Sequence, residues 1–88
     1  GDVAAFIAEP IQGHGVFVPP DDYFKRVREL CTKHGTMFVL DEVQMGFGRT
    51  GKLFGGQHWD ARPDIMTVSK ALSGGFCPTG AILFGDAI

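Results

Sequence analysis

The sequence predicts an α/β fold, a mostly parallel open sheet with a helix packed on it, and three observations carry that prediction. Four apolar runs, at residues 3–8, 37–40, 65–68 and 81–84, are short and continuous rather than alternating. That is the pattern of strands covered on both faces in a parallel sheet. One amphipathic stretch stands between the first two runs. Glycine and proline clusters separate the runs, and the 13 glycines among 88 residues are about twice the usual share of roughly 7%.

The first run, Val3-Ala4-Ala5-Phe6-Ile7-Ala8, stops at Glu9-Pro10, and the prolines and glycines of residues 9–20 make a long loop. In residues 21–35 the period changes. Tyr23, Phe24, Val27, Leu30 and Cys31 fall at helical spacing, while Lys25, Arg26, Arg28, Glu29, Thr32 and Lys33 fill the other face. Asp21 and Asp22 suit the first turn, Lys33 and His34 the last, and Gly35 the C-cap. Met37-Phe38-Val39-Leu40 is a second strand ending at Asp41-Glu42, followed by the glycine-rich Gly46-Phe47-Gly48-Arg49-Thr50-Gly51. Residues 54–59 are read as a short helix and Ala61-Arg62-Pro63-Asp64 as a turn. Ile65-Met66-Thr67-Val68 is a third strand ending at Ser69-Lys70. Gly74-Gly75 and Pro78 then break the chain before a fourth strand, Ala81-Ile82-Leu83-Phe84.

Composition narrows the function classes. A hydrophobic share of 44% is too high for a disordered chain, and a net charge of −2 provides no basic surface for nucleic acid. No apolar run approaches the ~20 residues that span a bilayer. Neither nucleic acid nor membrane is an expected partner. Cys31 and Cys77 are too few for a disulfide framework, so a reducing, intracellular compartment is the default. Cys77, His34 and His58 lack metal-ligand spacing, and no metal site is expected. A chain this short buries little more than ~60% of its unfolded surface as an independent domain. The expectation is a slice of a larger domain, with no complete domain in residues 1–88 and parts missing on both sides.

Ligands of open parallel sheets bind at the carboxyl ends of the strands. Two strands here end in ionisable residues, Asp41-Glu42 and Lys70. Buried strand ends of that kind are costly unless paired or used; a structural ion pair or solvated turn stays open beside a functional reading. Gly46 to Lys52 fits the spacing of a phosphate-binding loop, but Leu53 stands where Ser or Thr would hold magnesium, and no helical pattern opens at Lys52. A phosphoacceptor signalling domain also uses acids and a lysine at strand ends, but its short regular loops do not fit the glycine-rich excursion after Asp41. A Schiff-base cofactor site joins the same groups differently. Pyridoxal phosphate needs an amine for its aldehyde and a carboxylate against its pyridine nitrogen.

The motifs Ala8-Glu9-Pro10-Ile11-Gln12-Gly13, Leu40-Asp41-Glu42-Val43-Gln44, Gly46-Phe47-Gly48-Arg49-Thr50-Gly51, Pro63-Asp64-Ile65 and Ser69-Lys70-Ala71-Leu72-Ser73-Gly74-Gly75 run the length of the chain. In order and spacing, including the 29-residue step from Asp41 to Lys70, the sequence resembles the class III pyridoxal-phosphate-dependent aminotransferases. That is the ornithine, acetylornithine and 4-aminobutyrate aminotransferase group. The resemblance implies part of the large domain of the fold type I transferase fold. It also implies a ping-pong transfer of an amino group from an amine or amino-acid donor to a 2-oxo acid, and a homodimer or dimer of dimers. Lys70 would be the Schiff-base lysine and proton shuttle, and Asp41 the partner of the pyridine nitrogen. Val43 would pack on a ring face, Gln44 would bind the phenolic oxygen, and Glu9 would lie near the cofactor or make a structural hydrogen bond. Arg49 and Thr50 would shape their loop or a subunit contact rather than act in catalysis. A cytoplasmic location is expected, or the mitochondrial matrix for a eukaryotic source.

One departure stands out. Many relatives follow Gln12-Gly13 with a Glu and two glycines, where this chain has His14-Gly15-Val16 and is one residue shorter. The resemblance ties that Glu, in part of the family, to gating of the substrate carboxylate. The ornithine-like or 4-aminobutyrate-like mode is therefore not implied here, and His14 is read first as a solvent-facing loop imidazole. Same-fold decarboxylase, lyase, racemase or aminomutase chemistry shares Asp41 and Lys70 and remains an alternative. So does an inactive piece that needs the rest of its chain.

Overall fold

Each apolar run is a strand in the computed structural model, which describes residues 2–85: β1 (Ala5–Ala8), β2 (Met37–Asp41), β3 (Ile65–Val68) and β4 (Ala81–Phe84). They form one sheet in the order β1-β2-β3-β4. The first two pairings are parallel and the third is antiparallel. The first ladder is shorter than the apolar run. Ala5 is its first residue, although the carbonyls of Val3 and Ala4 still accept hydrogen bonds from the Thr36 hydroxyl (2.9 Å) and the Met37 N–H (2.9 Å).

Helix α1 (Tyr23–His34) carries the chain back from the end of β1 to the start of β2. Its C-terminus closes as a Schellman motif. Gly35 takes φ 66°, its N–H reaches the Thr32 carbonyl (3.4 Å), and the Thr36 N–H reaches the Cys31 carbonyl (2.9 Å). The N-terminus differs from expectation: Asp22 occupies the cap position without a side-chain capping bond, and its carboxylate pairs instead with Arg26 at 3.8 Å. Both members of that pair are exposed, which makes it energetically minor. Residues 54–59 contain a 3₁₀ turn (Gly55–Trp59), and no helix opens at Lys52, in keeping with the rejection of a phosphate-binding loop.

Strand alternation sorts the side chains onto two faces. Phe6, Ala8, Phe38, Leu40 and Met66 point toward α1, where Phe24, Phe38 and Leu40 are fully buried and Cys31 nearly so. Phe24 stacks on Phe38 at 6.0 Å, and Trp59 meets Phe24 edge-on at 5.5 Å while donating its indole N–H to the Pro20 carbonyl. The other face carries Ile7, Val39, Ile65, Ile82 and Phe84. Here the expectation of strands covered on both sides fails. Ile7 and Ile82 are each 64% exposed, because among the described residues one α-helix packs on the sheet and it covers the opposite face.

The amino-terminal edge of the sheet is locked by Arg28 and Asp64. Arg28 Nη1 donates to Asp64 Oδ2 at 3.0 Å and to the Arg62 carbonyl at 2.9 Å, while the same Asp64 oxygen accepts the Phe38 N–H at 2.8 Å. That backbone N–H, reinforced by Arg28, holds the Asp64 carboxyl below the usual aspartate range.

Candidate functional site

Because β1, β2 and β3 run in one direction, their carboxyl ends share one edge of the sheet. Glu9 follows β1, Asp41 closes β2, and Lys70 comes two residues after β3. The topology therefore gathers residues that lie far apart in sequence.

Asp41 pairs in register with Thr67 of β3 and lies on the face that α1 leaves open. Its Oδ1 accepts two hydrogen bonds, from the Val43 N–H at 3.0 Å and the Thr67 hydroxyl at 3.1 Å. Among the described residues no donor is within hydrogen-bonding distance of Oδ2. Val43 is half-buried in the turn after β2.

Lys70 opens a 3₁₀ turn (Lys70–Ser73) with φ 38°, in the left-handed region that side chains with a Cβ rarely adopt. Such a conformation costs about 1–3 kcal/mol and tends to be kept where function uses it. Lys70 Nζ donates to Gln44 Oε1 at 3.4 Å. The Gln44 amide in turn lies against Gly13, where an added Cβ would collide with Oε1. Glu9 Oε2 accepts the Gly13 N–H at 2.7 Å and so closes the turn after β1. A cavity of about 660 Å³ opens beside this edge, lined in part by Glu9, Gln12, His14, Phe17, Tyr23 and Asp41. His14 is an exposed loop imidazole, as expected, and also part of that wall.

A model of the family described as Aminotransferase class-III matches residues 1–88. The chain belongs to this family. It is 52% identical over 88 residues to a putrescine aminotransferase of Pectobacterium atrosepticum, covering 99% of this chain and 19% of that protein. It is also 52% identical to an ornithine aminotransferase of Plasmodium falciparum, covering 99% of this chain and 21% of the relative. Among solved structures, a transaminase from the marine bacterium Virgibacillus superposes with TM-score 0.92 at 52% identity, over 94% of this chain and 19% of that one. A Plasmodium falciparum ornithine delta-aminotransferase gives 0.94 at 53% identity, over 97% and 23%. The chain thus spans about a fifth of the length of the curated relatives it matches. The fold class expected from the sequence, a mostly parallel α/β sheet of the aminotransferase kind, is the one found.

In this class III aminotransferase segment, one residue that sequence reasoning does not single out, and one that it names only as an ionisable strand end, support the site. Thr67 is one, through its bond to Asp41. Glu42 is the other. It has no exposed surface, its Oε1 accepts the Gly55 N–H at 2.9 Å, and its Oε2 accepts the Gly56 N–H at 2.7 Å. Its backbone N–H bonds the Thr67 carbonyl and its carbonyl accepts the Gly46 N–H, both at 2.9 Å. Burial pushes the Glu42 carboxyl above its usual range, against the opposing pull of the two glycine N–H groups. The available signal was an acid beside a strand end with a Gly-Gly pair downstream, since a Cβ on Gly55 or Gly56 would lie within 3.3 Å of the carboxylate. The Thr50 carbonyl and hydroxyl lie 2.9 and 3.1 Å from His58 Nε2.

Proposed function

We propose that these residues belong to a transaminase that moves an amino group from an amine or amino-acid donor to a 2-oxo acid, with pyridoxal phosphate held at the shared strand edge. The observation that carries this reading is the pairing of strand ends. Asp41 and Lys70 follow adjacent parallel strands, and Gln44 from the turn after β2 meets the Lys70 amine. The donor set suits the cofactor. One Asp41 oxygen is engaged while the other faces no donor among the described residues, and Lys70 Nζ is matched to a neutral amide rather than a carboxylate. When bound, the cofactor supplies an electrophilic carbonyl carbon and a protonated ring that withdraws electrons.

In this reading Lys70 Nζ would hold the cofactor carbon covalently and would serve as the base and acid that moves a proton at the substrate α-carbon. Asp41 Oδ2 would accept a hydrogen bond from the protonated ring nitrogen. Val43 would pack against the ring, and Gln44 would bind the phenolic oxygen. Glu9 acts one step away, by fixing the Gly13 turn against which Gln44 rests. The 88 residues are then part of the large cofactor-binding domain of a longer enzyme, working as a homodimer or dimer of dimers in the cytoplasm or, for a eukaryotic source, the mitochondrial matrix. The family match and the names of the relatives above favour amino transfer over decarboxylation on the same scaffold.

In the complete protein, borohydride should fix the cofactor to Lys70, and Lys70→Ala should lose both that attachment and at least ~10³-fold of the amino-transfer rate. Equal fixation in Lys70→Ala, located by peptide mapping at another residue, would reject the reading.

A further inference from the structure

We infer that Thr67 is a positioning residue for Asp41: its hydroxyl sets the rotation of the carboxylate so that Oδ2 is presented to the cofactor ring. The inference rests on the function proposed above and goes one step deeper into the same site. A carboxyl group turns easily about its last side-chain torsion, which is broad and nearly two-fold. Here Oδ1 is held from two sides, by the Val43 N–H at 3.0 Å and the Thr67 hydroxyl at 3.1 Å. With Oδ1 pinned, the orientation of the group is fixed, and no described residue donates to Oδ2.

Thr67 is well suited to hold this bond. It lies directly opposite Asp41 in the β2–β3 ladder, so both side chains leave the same face at the same level. Its backbone carbonyl is anchored by the Glu42 N–H at 2.9 Å, and β-branching restricts its first side-chain torsion. The Val43 bond is local, between residues two apart, and moves with the turn after β2. The Thr67 bond comes from a neighbouring strand and ties the carboxylate to the sheet itself. It also refers Asp41 to the strand that leads into Lys70. The acid and the amine are thus set against one ladder.

The test uses the complete, cofactor-loaded enzyme with pyridoxal phosphate labelled with ¹⁵N in its ring, read by NMR, together with the cofactor dissociation constant. Thr67→Val keeps the branched shape and the backbone bonds and exchanges the hydroxyl for a methyl. It should move the ring-nitrogen resonance toward its position in Asp41→Asn and weaken cofactor binding by about tenfold, about 1.4 kcal/mol. Thr67→Ser should restore both values. Thr67→Ala lacks the hydroxyl without adding bulk and should match Thr67→Val. A ring-nitrogen resonance unchanged in both hydroxyl-free variants, while Asp41→Asn displaces it, overturns the role of Thr67 and leaves the cofactor reading standing. Failure of Thr67→Ser to restore it also overturns the role. If Asp41→Asn itself leaves the resonance in place, the assignment of Asp41 falls, and the role of Thr67 falls with it.

Discussion

At the scale of single residues, the buried acid beside Asp41 sets the energetics. Glu42 is out of contact with water, and two glycine N–H groups supply the hydrogen bonds that water would have made. Truncation by Glu42→Ala would strand both donors, and the complete protein should lose on the order of 3 kcal/mol in urea unfolding. The sign of its pH dependence follows from the raised carboxyl. Between the ordinary glutamate range and its higher folded value, the native protein keeps a proton that the unfolded chain releases, so stability falls as pH rises through that window. Comparing the protein with Glu42→Gln from about pH 4 to 7 isolates this term, because Gln does not titrate. The difference should shift in favour of the variant as pH rises, and a flat difference would contradict it.

At the scale of elements, the site is where the segments that follow three parallel strands meet. The loop after β1 reaches the turn after β2 through Gly13 and the Gln44 amide, and Gln44 meets Lys70 from the turn after β3. Gly13→Ala should push the Gln44 side chain aside. We expect little change in thermal stability but several-fold weaker cofactor binding, measured by absorbance titration, since the obstructed atoms belong to the end of a flexible side chain. Much of this was legible in the sequence. Continuous apolar runs marked the strands, and the period of Tyr23, Phe24, Val27 and Cys31 marked α1, because burial imposes those patterns locally. Asp41 and Lys70 were legible as ionisable strand ends because both follow such runs, and their roles came from the resemblance alone. The role of Thr67 and the partners of Glu42 were not legible, because they depend on a register and on a Gly-Gly backbone brought close by tertiary structure. The uncovered sheet face was likewise misread: an apolar run states that a strand is to be covered, not which part of the protein covers it.

At the scale of the whole chain, that uncovered face is the dominant feature. Ile7, Ile82 and Phe84 stand on one side of the sheet, each more exposed than not. The 88 residues expressed alone should therefore bind the dye ANS and elute above monomer size in gel filtration, whereas the complete protein should do neither through this face. A dye-silent monomer would show that the piece covers the face by itself. The sheet also acts as a ruler. Asp41 lies opposite Thr67, and Lys70 follows three residues later, two past the end of β3, so the interval between acid and amine is set by the β2–β3 register and that short step rather than by the longer loops. Insertions in residues 14–19 or 47–53 would lengthen loops and leave that interval alone. A single residue gained or lost within β3 would turn Thr67 toward the helix and carry Lys70 to the wrong side of the sheet. Natural variation in length should therefore gather in the loops, and the spacing along β3 should tolerate none.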